Sequence, residues 1–350
     1  MPIEYKTLPQ VLAHGFDTVI DVRSPAEYAE DHLPGAISLP VLSNEERAEV
    51  GTIYVQQSPF LARKLGAALV FRNAARHVET ALRDKEGGWQ PLVYCWRGGQ
   101  RSGSFAWMLQ QIGWRANVIS GGYRSYRRLV NRYLYDDPLP HRVIALDGYT
   151  GTAKTELLHV LSGRGVQVVD LEGLANHRGS LLGEQPGGQP TQKSFESRLA
   201  QAFCALDPAR PVLVEAESSK IGERILPPSL WTALCHAPRI EVAAPIEART
   251  EYLTRAYDDI LSDAERLEDR LNPLRRHRSH AVVDGWIEMI ARGDKAGLTR
   301  ALMEQHYDPA YEKSRGSHPN PRLARVEAQG LDAPSLDALA GEVERVMSQV

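Results

Sequence analysis

The stretch "PLVYCWRGGQRSGSFAWML", residues 91–109, passes from an apolar run through a single cysteine into a helical pattern. Leu92, Val93 and Tyr94 form the kind of short continuous apolar run that a buried strand carries. Two glycines and two arginines follow Cys95, an apolar periodicity starts at Ser102, and Gly113 stops it. A thiol at the carboxyl end of a strand, just ahead of a helix, sits where parallel α/β sheets bind ligands. Backbone N–H groups of a glycine-bearing loop converge there, the helix N-terminus adds positive potential, and Arg97 and Arg101 add formal charge. All of these favour thiolate over thiol, so Cys95 is expected to be a nucleophile in a cradle for an oxyanion. Cys204 ("QAFCAL") and Cys235 ("TALCHA") lie in apolar helical surroundings without flanking glycine or arginine and read as structural.

The same alternation extends outward. "TVIDV" (18–22) reads as a strand, and Ser24-Pro25-Ala26-Glu27 is a capping box opening a helix over "AEYAED". "ANVIS" (116–120) is a further strand, which implies a parallel α/β sheet. A chain of 350 residues exceeds one typical core, and "DDPLPH" (136–141) is the natural break. Two α/β domains are therefore expected, 1–137 around Cys95 and 138–350 with a helical, basic C-terminal part. Within the second, "RVIAL" (142–146), "VQVVDL" (166–171), "PVLVE" (211–215) and "RIEVAA" (239–244) read as strands, and "GEQPGGQPTQ" (183–192) as a mobile loop. From Glu247 onward the pattern is mostly helical.

"DGYTGTAKTELL" (147–158), between a strand and a helix, is a phosphate-binding loop in the required context. Gly148, Gly151, Lys154 and Thr155 fit its pattern, while Ala153 stands where the last glycine is usual. A positive φ there would strain the Cβ and distort the nest of amides. Lys154 could pair with a phosphate and the Thr155 hydroxyl could hold Mg2+, with no tightly bound cofactor expected. Glu215 and Glu217, after an apolar strand, are candidates to orient a metal-bound water. Arg249 and Arg255 resemble the arginines with which P-loop kinases clamp phosphates.

"DVRSPAEYAEDHLPGAISLP" (21–40) and "CWRGGQRS" (95–102) resemble the entry segment and active-site loop of rhodanese-like domains, which carry sulfur or selenium on that cysteine. The spacing Cys, five residues, Arg-Ser also matches cysteine phosphatases of that fold, so chalcogen carrier and phosphatase both stand on the loop alone. The whole chain up to about Pro273 resembles the tRNA 2-selenouridine synthase family, a rhodanese domain followed by a P-loop domain. "LEGLANHRGSLLGEQPGGQPTQKSFES" (171–197) and "LVEAESSKIGERILP" (213–227) carry that likeness, with Ala153 and Ala216 as departures. The resemblance implies conversion of 2-thiouridine at position 34 of the tRNAs for Lys, Glu and Gln. It proceeds through S-geranyl-2-thiouridine, with geranyl diphosphate and selenophosphate as substrates. Cys95 would become a perselenide, the P-loop would hold the diphosphate, and a selenophosphate-producing enzyme would be the source of selenium.

The composition bounds the partners. Lys+Arg 41 against Asp+Glu 44 gives a net charge of -3, so an RNA surface must be a local patch. "GYRSYRRLVNRY" (122–133) offers Arg124, Arg127 and Arg128 among tyrosines, suited to the phosphates and stacked bases of an anticodon loop. "DRLNPLRRHRSH" (269–280) is a second basic cluster, and Asn176, His177 and Arg178 are further candidates to meet RNA or diphosphate. The opening "MPIEYKTLPQ" lacks a signal-peptide pattern and three sparse cysteines fit a reducing compartment, so a cytoplasmic monomer without membrane partners is expected. The alternatives are a rhodanese-fold phosphatase or P-loop phosphotransferase, and a non-catalytic RNA-binding regulator.

Overall fold

The computed structural model describes residues 2–316 and 321–350. It divides into two compact units, Met1–Pro138 with Pro190–Cys204, and Leu139–Gln189 with Ala205–Val350.

In the first unit β1 (Pro2–Ile3), β2 (Thr18–Asp21), β3 (Ile37–Ser38), β4 (Pro91–Tyr94) and β5 (Asn117–Ile119) form one sheet, ordered β1-β5-β4-β2-β3. Every pairing in it is parallel. The central strand β4 is buried at every residue, as its unbroken apolar run requires. The helix Gln100–Ile112 buries Ser102, Phe105, Ala106 and Leu109, the i, i+3, i+4, i+7 stripe of an amphipathic helix. Phe105 is fully buried, a contribution of about 2–3 kcal/mol. Gly113 ends this helix at φ 112, where a side chain would be strained. The segment 44–79 is a helical pair, Asn44–Gln56 and Pro59–Glu79, each opened by a serine whose side chain accepts from the first turn.

The second unit carries β6 (Val143–Asp147), β7 (Val168–Val169), β8 (Val212–Glu215), the small hairpin β9 (Lys220–Ile221) and β10 (Arg224–Ile225), β11 (Arg239–Ala243) and β12 (Arg322–Glu327). Its parallel sheet runs β12-β11-β6-β8-β7. A helical core around Trp286, Leu261, Leu271 and Leu302 packs separately from the core beneath that sheet.

Three features depart from the sequence reading. β7 keeps only two residues of "VQVVDL", because Asp170 leaves the strand to cap the helix Leu171–Ala175, accepting from the Gly173 amide at 2.7 Å. β12 lies in the stretch read as helical. The helix Gln192–Cys204 packs within the first unit, where Ser197 and Tyr123 each donate to the buried Asp31 at 2.8 Å.

Candidate functional site

In the first unit, Cys95 follows β4 and is 3% exposed. The Ser102 hydroxyl lies 3.2 Å from its Sγ, on the first turn of the helix that the loop feeds. The loop is clamped from one side by the turn Gly121-Gly122-Tyr123. The Tyr123 amide donates to the Cys95 carbonyl at 2.8 Å, and the Arg124 amide to the Trp96 carbonyl at 3.0 Å. Gly122, at φ 57, makes this approach possible, since a Cβ there would stand 2.2 Å from the Cys95 carbonyl oxygen.

Arg97 is exposed. Arg101 is not free to serve Cys95 alone, because its guanidinium donates to Glu27 at 2.9 Å. Glu27 also accepts from the Ser24 amide at 3.2 Å, so one capping-box carboxylate both starts a helix and holds the thiol-loop arginine. Burial works against the ionised Glu27, yet Arg101, the Ser24 amide and Arg47 hold its carboxyl below the usual range. Nothing in sequence spacing couples Glu27 to Arg101. The other two thiols differ: burial pushes Cys204 up to about 11 and raises Cys235.

The phosphate loop occupies the equivalent place in the second unit, between β6 and the helix Lys154–Gly163. Gly148 has no room for a side chain, as a Cβ would stand 2.7 Å from the Val242 carbonyl oxygen, and Gly151 sits at φ 86. Ala153 adopts φ 53, ψ 36, the left-handed conformation that the usual glycine would take. The nest keeps its backbone shape and Ala153 carries the strain, roughly 1–2 kcal/mol. Lys154 Nζ donates to the Gly148 carbonyl at 2.9 Å.

Thr155 Oγ1 meets Glu215 at 2.9 Å and Glu172 at 3.0 Å. One hydroxyl hydrogen cannot serve both, so one carboxyl must carry a proton for both contacts to be favourable. Glu215 is buried and also accepts from the Leu171 and Glu172 amides at 2.9 and 3.1 Å, so it anchors the helix Leu171–Ala175 rather than standing free to orient water. Glu172, which the sequence reading missed, and Glu217 line the same cavity as Lys154 and Thr155, of about 920 Å3. Hard oxygen donors beside a phosphate loop fit Mg2+, which takes one or two carboxylates with substrate phosphates. Among the described residues no group of three or more His, Cys, Asp or Glu side chains is arranged to hold a metal by itself.

Burial first, and then the neighbouring carboxylates, raise Glu172 and Glu215 to about 8 and Glu217 to about 7; Lys154 opposes this at Glu172 and Glu217. The folded unit therefore holds protons that the unfolded chain, with carboxyls near 4.5, has already released. The stability this confers is complete below pH 4.5 and drains away as pH climbs through 7 to 8. Glu172→Gln keeps an oxygen acceptor for Thr155 but removes one carboxylate. Denaturant unfolding of this variant at pH 8.5 is expected to give about 1–2 kcal/mol more stability than the parent chain, and a flatter profile between pH 6 and 8.5. Parallel profiles would contradict the clustered carboxylates.

Several candidate contacts fall elsewhere. Arg249 is 4% exposed and donates to the Thr150 carbonyl at 3.0 and 2.8 Å and to Asp308 at 2.9 and 2.6 Å. It braces the phosphate loop from its own side and has no donor geometry left for a phosphate clamp; Arg255 is exposed. Arg178 lines the cavity but forms a two-bond pair with Asp259 at 3.0 and 3.2 Å. Asn176 donates to the Pro186 and Gly188 carbonyls at 3.0 and 2.8 Å and His177 is buried, so both tie down the loop "GEQPGGQPTQ" that reads as mobile.

On the helix Gly122–Asn131, Arg124 and Arg128 are exposed while Arg127 pairs with Glu196. Tyr123 and Tyr126 are each 1% exposed, so the tyrosines between these arginines are core residues and offer no stacking face. In the second basic cluster Arg270 pairs with Glu184, and Arg275 with Asp284 at 2.6 Å, leaving Arg276 and His277 exposed.

Residues 141–273 match the family described as "tRNA 2-selenouridine synthase AAA domain", and residues 6–129 match the rhodanese-like domain. The chain is 32% identical over 327 residues to the tRNA 2-selenouridine synthase of Hahella chejuensis, covering 84% of each chain. It is 36% identical over 323 residues to that of Chromohalobacter salexigens, covering 84% of this chain and 86% of the relative. Among solved structures, the N-terminal domain of a putative ATP/GTP binding protein from Clostridium difficile 630 is 35% identical over 37% of this chain and 98% of that one, with a TM-score of 0.31. Among the described residues no helix is long and apolar enough to cross a membrane.

Proposed function

The chain belongs to the tRNA 2-selenouridine synthase family, and from that premise we propose that it is a transferase converting 2-thiouridine to 2-selenouridine at position 34 of tRNAs for Lys, Glu and Gln. The observation that carries the reading is one chain holding both a clamped thiol loop after β4 and a phosphate loop after β6.

In the first step the sulfur of the base attacks C1 of geranyl diphosphate, the C–O bond breaks, and pyrophosphate leaves. The loop amides from Gly151 to Thr155 and the Lys154 ammonium would neutralise that leaving group as its charge develops. Mg2+, where bound, would add Lewis-acid neutralisation, with Thr155 and an adjacent carboxylate as its protein ligands. Nucleotide hydrolysis is not needed. In the second step selenium from selenophosphate, carried on Cys95, replaces the geranyl thiol at C2 of the base. Arg124 and Arg128 are the arginines left free on the first unit's basic helix to meet anticodon-loop phosphates. We place the protein in the cytoplasm as a monomer supplied by a selenophosphate-producing enzyme.

Nucleoside mass analysis of tRNA from cells lacking the protein tests this. The expected result is loss of 2-selenouridine and its return with the gene; normal 2-selenouridine in the deleted strain would overturn it. The spacing of Cys95 and Arg101 keeps a phosphatase as the second reading, which predicts turnover of a simple aryl phosphate without tRNA.

A further inference from the structure

The cavity that opens on the phosphate loop has an apolar wall with no part in diphosphate binding. Leu253, Tyr257 and Tyr307 stand on it. Leu253 is pressed onto the loop itself, since a Cβ on Gly151 would stand 2.6 Å from its Cδ1. Behind these three residues lies a separate void of about 30 Å3, which shares Thr150, Leu253, Tyr257 and Tyr307 with the main cavity. Its remaining lining is mostly apolar, closed by Leu261, Leu302 and Met303 of the helical core. Met303 is 0% and Leu302 3% exposed.

The two tyrosines are not polar contributors here. The Tyr257 hydroxyl lies 3.0 Å from Ser180 Oγ and donates to the Arg178 carbonyl at 3.4 Å, and the Tyr307 hydroxyl is likewise bonded to Ser180. What each ring has left to offer a ligand is its apolar face. Met303 and Tyr307 both come from one π-helical turn, Met303–Tyr307, a local irregularity that concentrates at functional sites.

The geometry points to this wall as the seat of the prenyl chain, with Leu302 and Met303 as the stop that sets its length. The assignment rests on the reading that the phosphate loop holds a prenyl diphosphate. A head group on the loop amides leaves the hydrocarbon to find cover in the same cavity, and the apolar surface adjoining the loop is this one. Each buried methylene strengthens binding by about fourfold. A void of about 30 Å3 has roughly the volume share of one water molecule, too little for another five-carbon unit. The wall therefore accommodates a geranyl chain and rejects a farnesyl chain.

Two measurements on the full-length protein decide it. The first compares the affinities of inorganic pyrophosphate, dimethylallyl, geranyl and farnesyl diphosphates. Affinity is expected to climb by about 100-fold or more from pyrophosphate to geranyl diphosphate and to fall at farnesyl diphosphate. The second is Met303→Ala, which deepens the stop. It is expected to raise the farnesyl-to-geranyl ratio of kcat/KM by on the order of 10-fold, with folding checked by its thermal midpoint. An affinity that is flat from pyrophosphate to geranyl, or a folded Met303→Ala with an unchanged ratio, overturns the assignment. Should Met303→Ala not fold, the affinity series decides alone. If pyrophosphate fails to bind, or binds Lys154→Ala equally well, the phosphate-loop reading itself is what has failed, and the assignment falls with it.

Discussion

Replacing Cys95 by serine is expected to abolish selenation by at least about 1000-fold while leaving geranylation of the same anticodon stem-loop intact. The substitution is nearly isosteric, so the clamp that Tyr123 places on the residue 95 carbonyl survives. What is lost is a sulfur that ionises within reach of neutral pH and can hold selenium; a serine hydroxyl does neither. The site allows no substitute nucleophile. Cys95 is 3% exposed at the end of β4, and its closest polar side chain is the Ser102 hydroxyl at 3.2 Å. Cys204→Ser and Cys235→Ser serve as controls and are expected to select normally, because burial raises both thiols. Selenation by Cys95→Ser at the parent rate would end the claim for this residue.

The thiol loop was legible in sequence because every signal that builds it is local. Strand, glycines, arginines and the Gly113 stop lie within one segment, and β4 and the helix Gln100–Ile112 fall where that segment places them. The failures share one cause, contacts between residues distant in sequence. Glu27 looks like a capping residue and is one, but its grip on Arg101 spans 74 positions. Glu172 follows a two-residue strand and carries no motif, yet it shares Thr155 with Glu215.

Tyr123 and Tyr126 show the same limit from the other direction, for their alternation with arginines suits a stacking surface but equally suits a helix burying one face. β12, "RLARVE", has a period-2 pattern that is hard to see. Its outward residues include Leu323, 39% exposed, and it mixes in Ala, Arg and Glu, which favour helix in isolation. Pairing along β11 overrides that preference.

Lys154→Ala is expected to lower kcat/KM for geranylation by about 100- to 1000-fold, and to leave selenation of a pre-geranylated stem-loop near the parent rate. The argument is electrostatic. Glu172, Glu215 and Glu217 surround Thr155 and the cavity, and Lys154 opposes the raised pKa of Glu172 and of Glu217. Without the ammonium, an incoming diphosphate meets carboxylates with only loop amides to offset them, and the departing pyrophosphate loses its one formal positive charge on the loop. The amides survive the substitution, because the left-handed turn at Ala153 and the tight packing of Gly148 do not depend on the lysine side chain. Lys154 and Cys95 belong to different compact units, so the thiol loop keeps its clamp and its chemistry. The loss is expected to deepen as pH rises from 6.5 to 8.5, since the three carboxyls then ionise against the substrate. If Lys154→Ala geranylates normally at every pH, the diphosphate does not sit on this loop; if it loses both steps equally, the two sites do not divide the reaction between them.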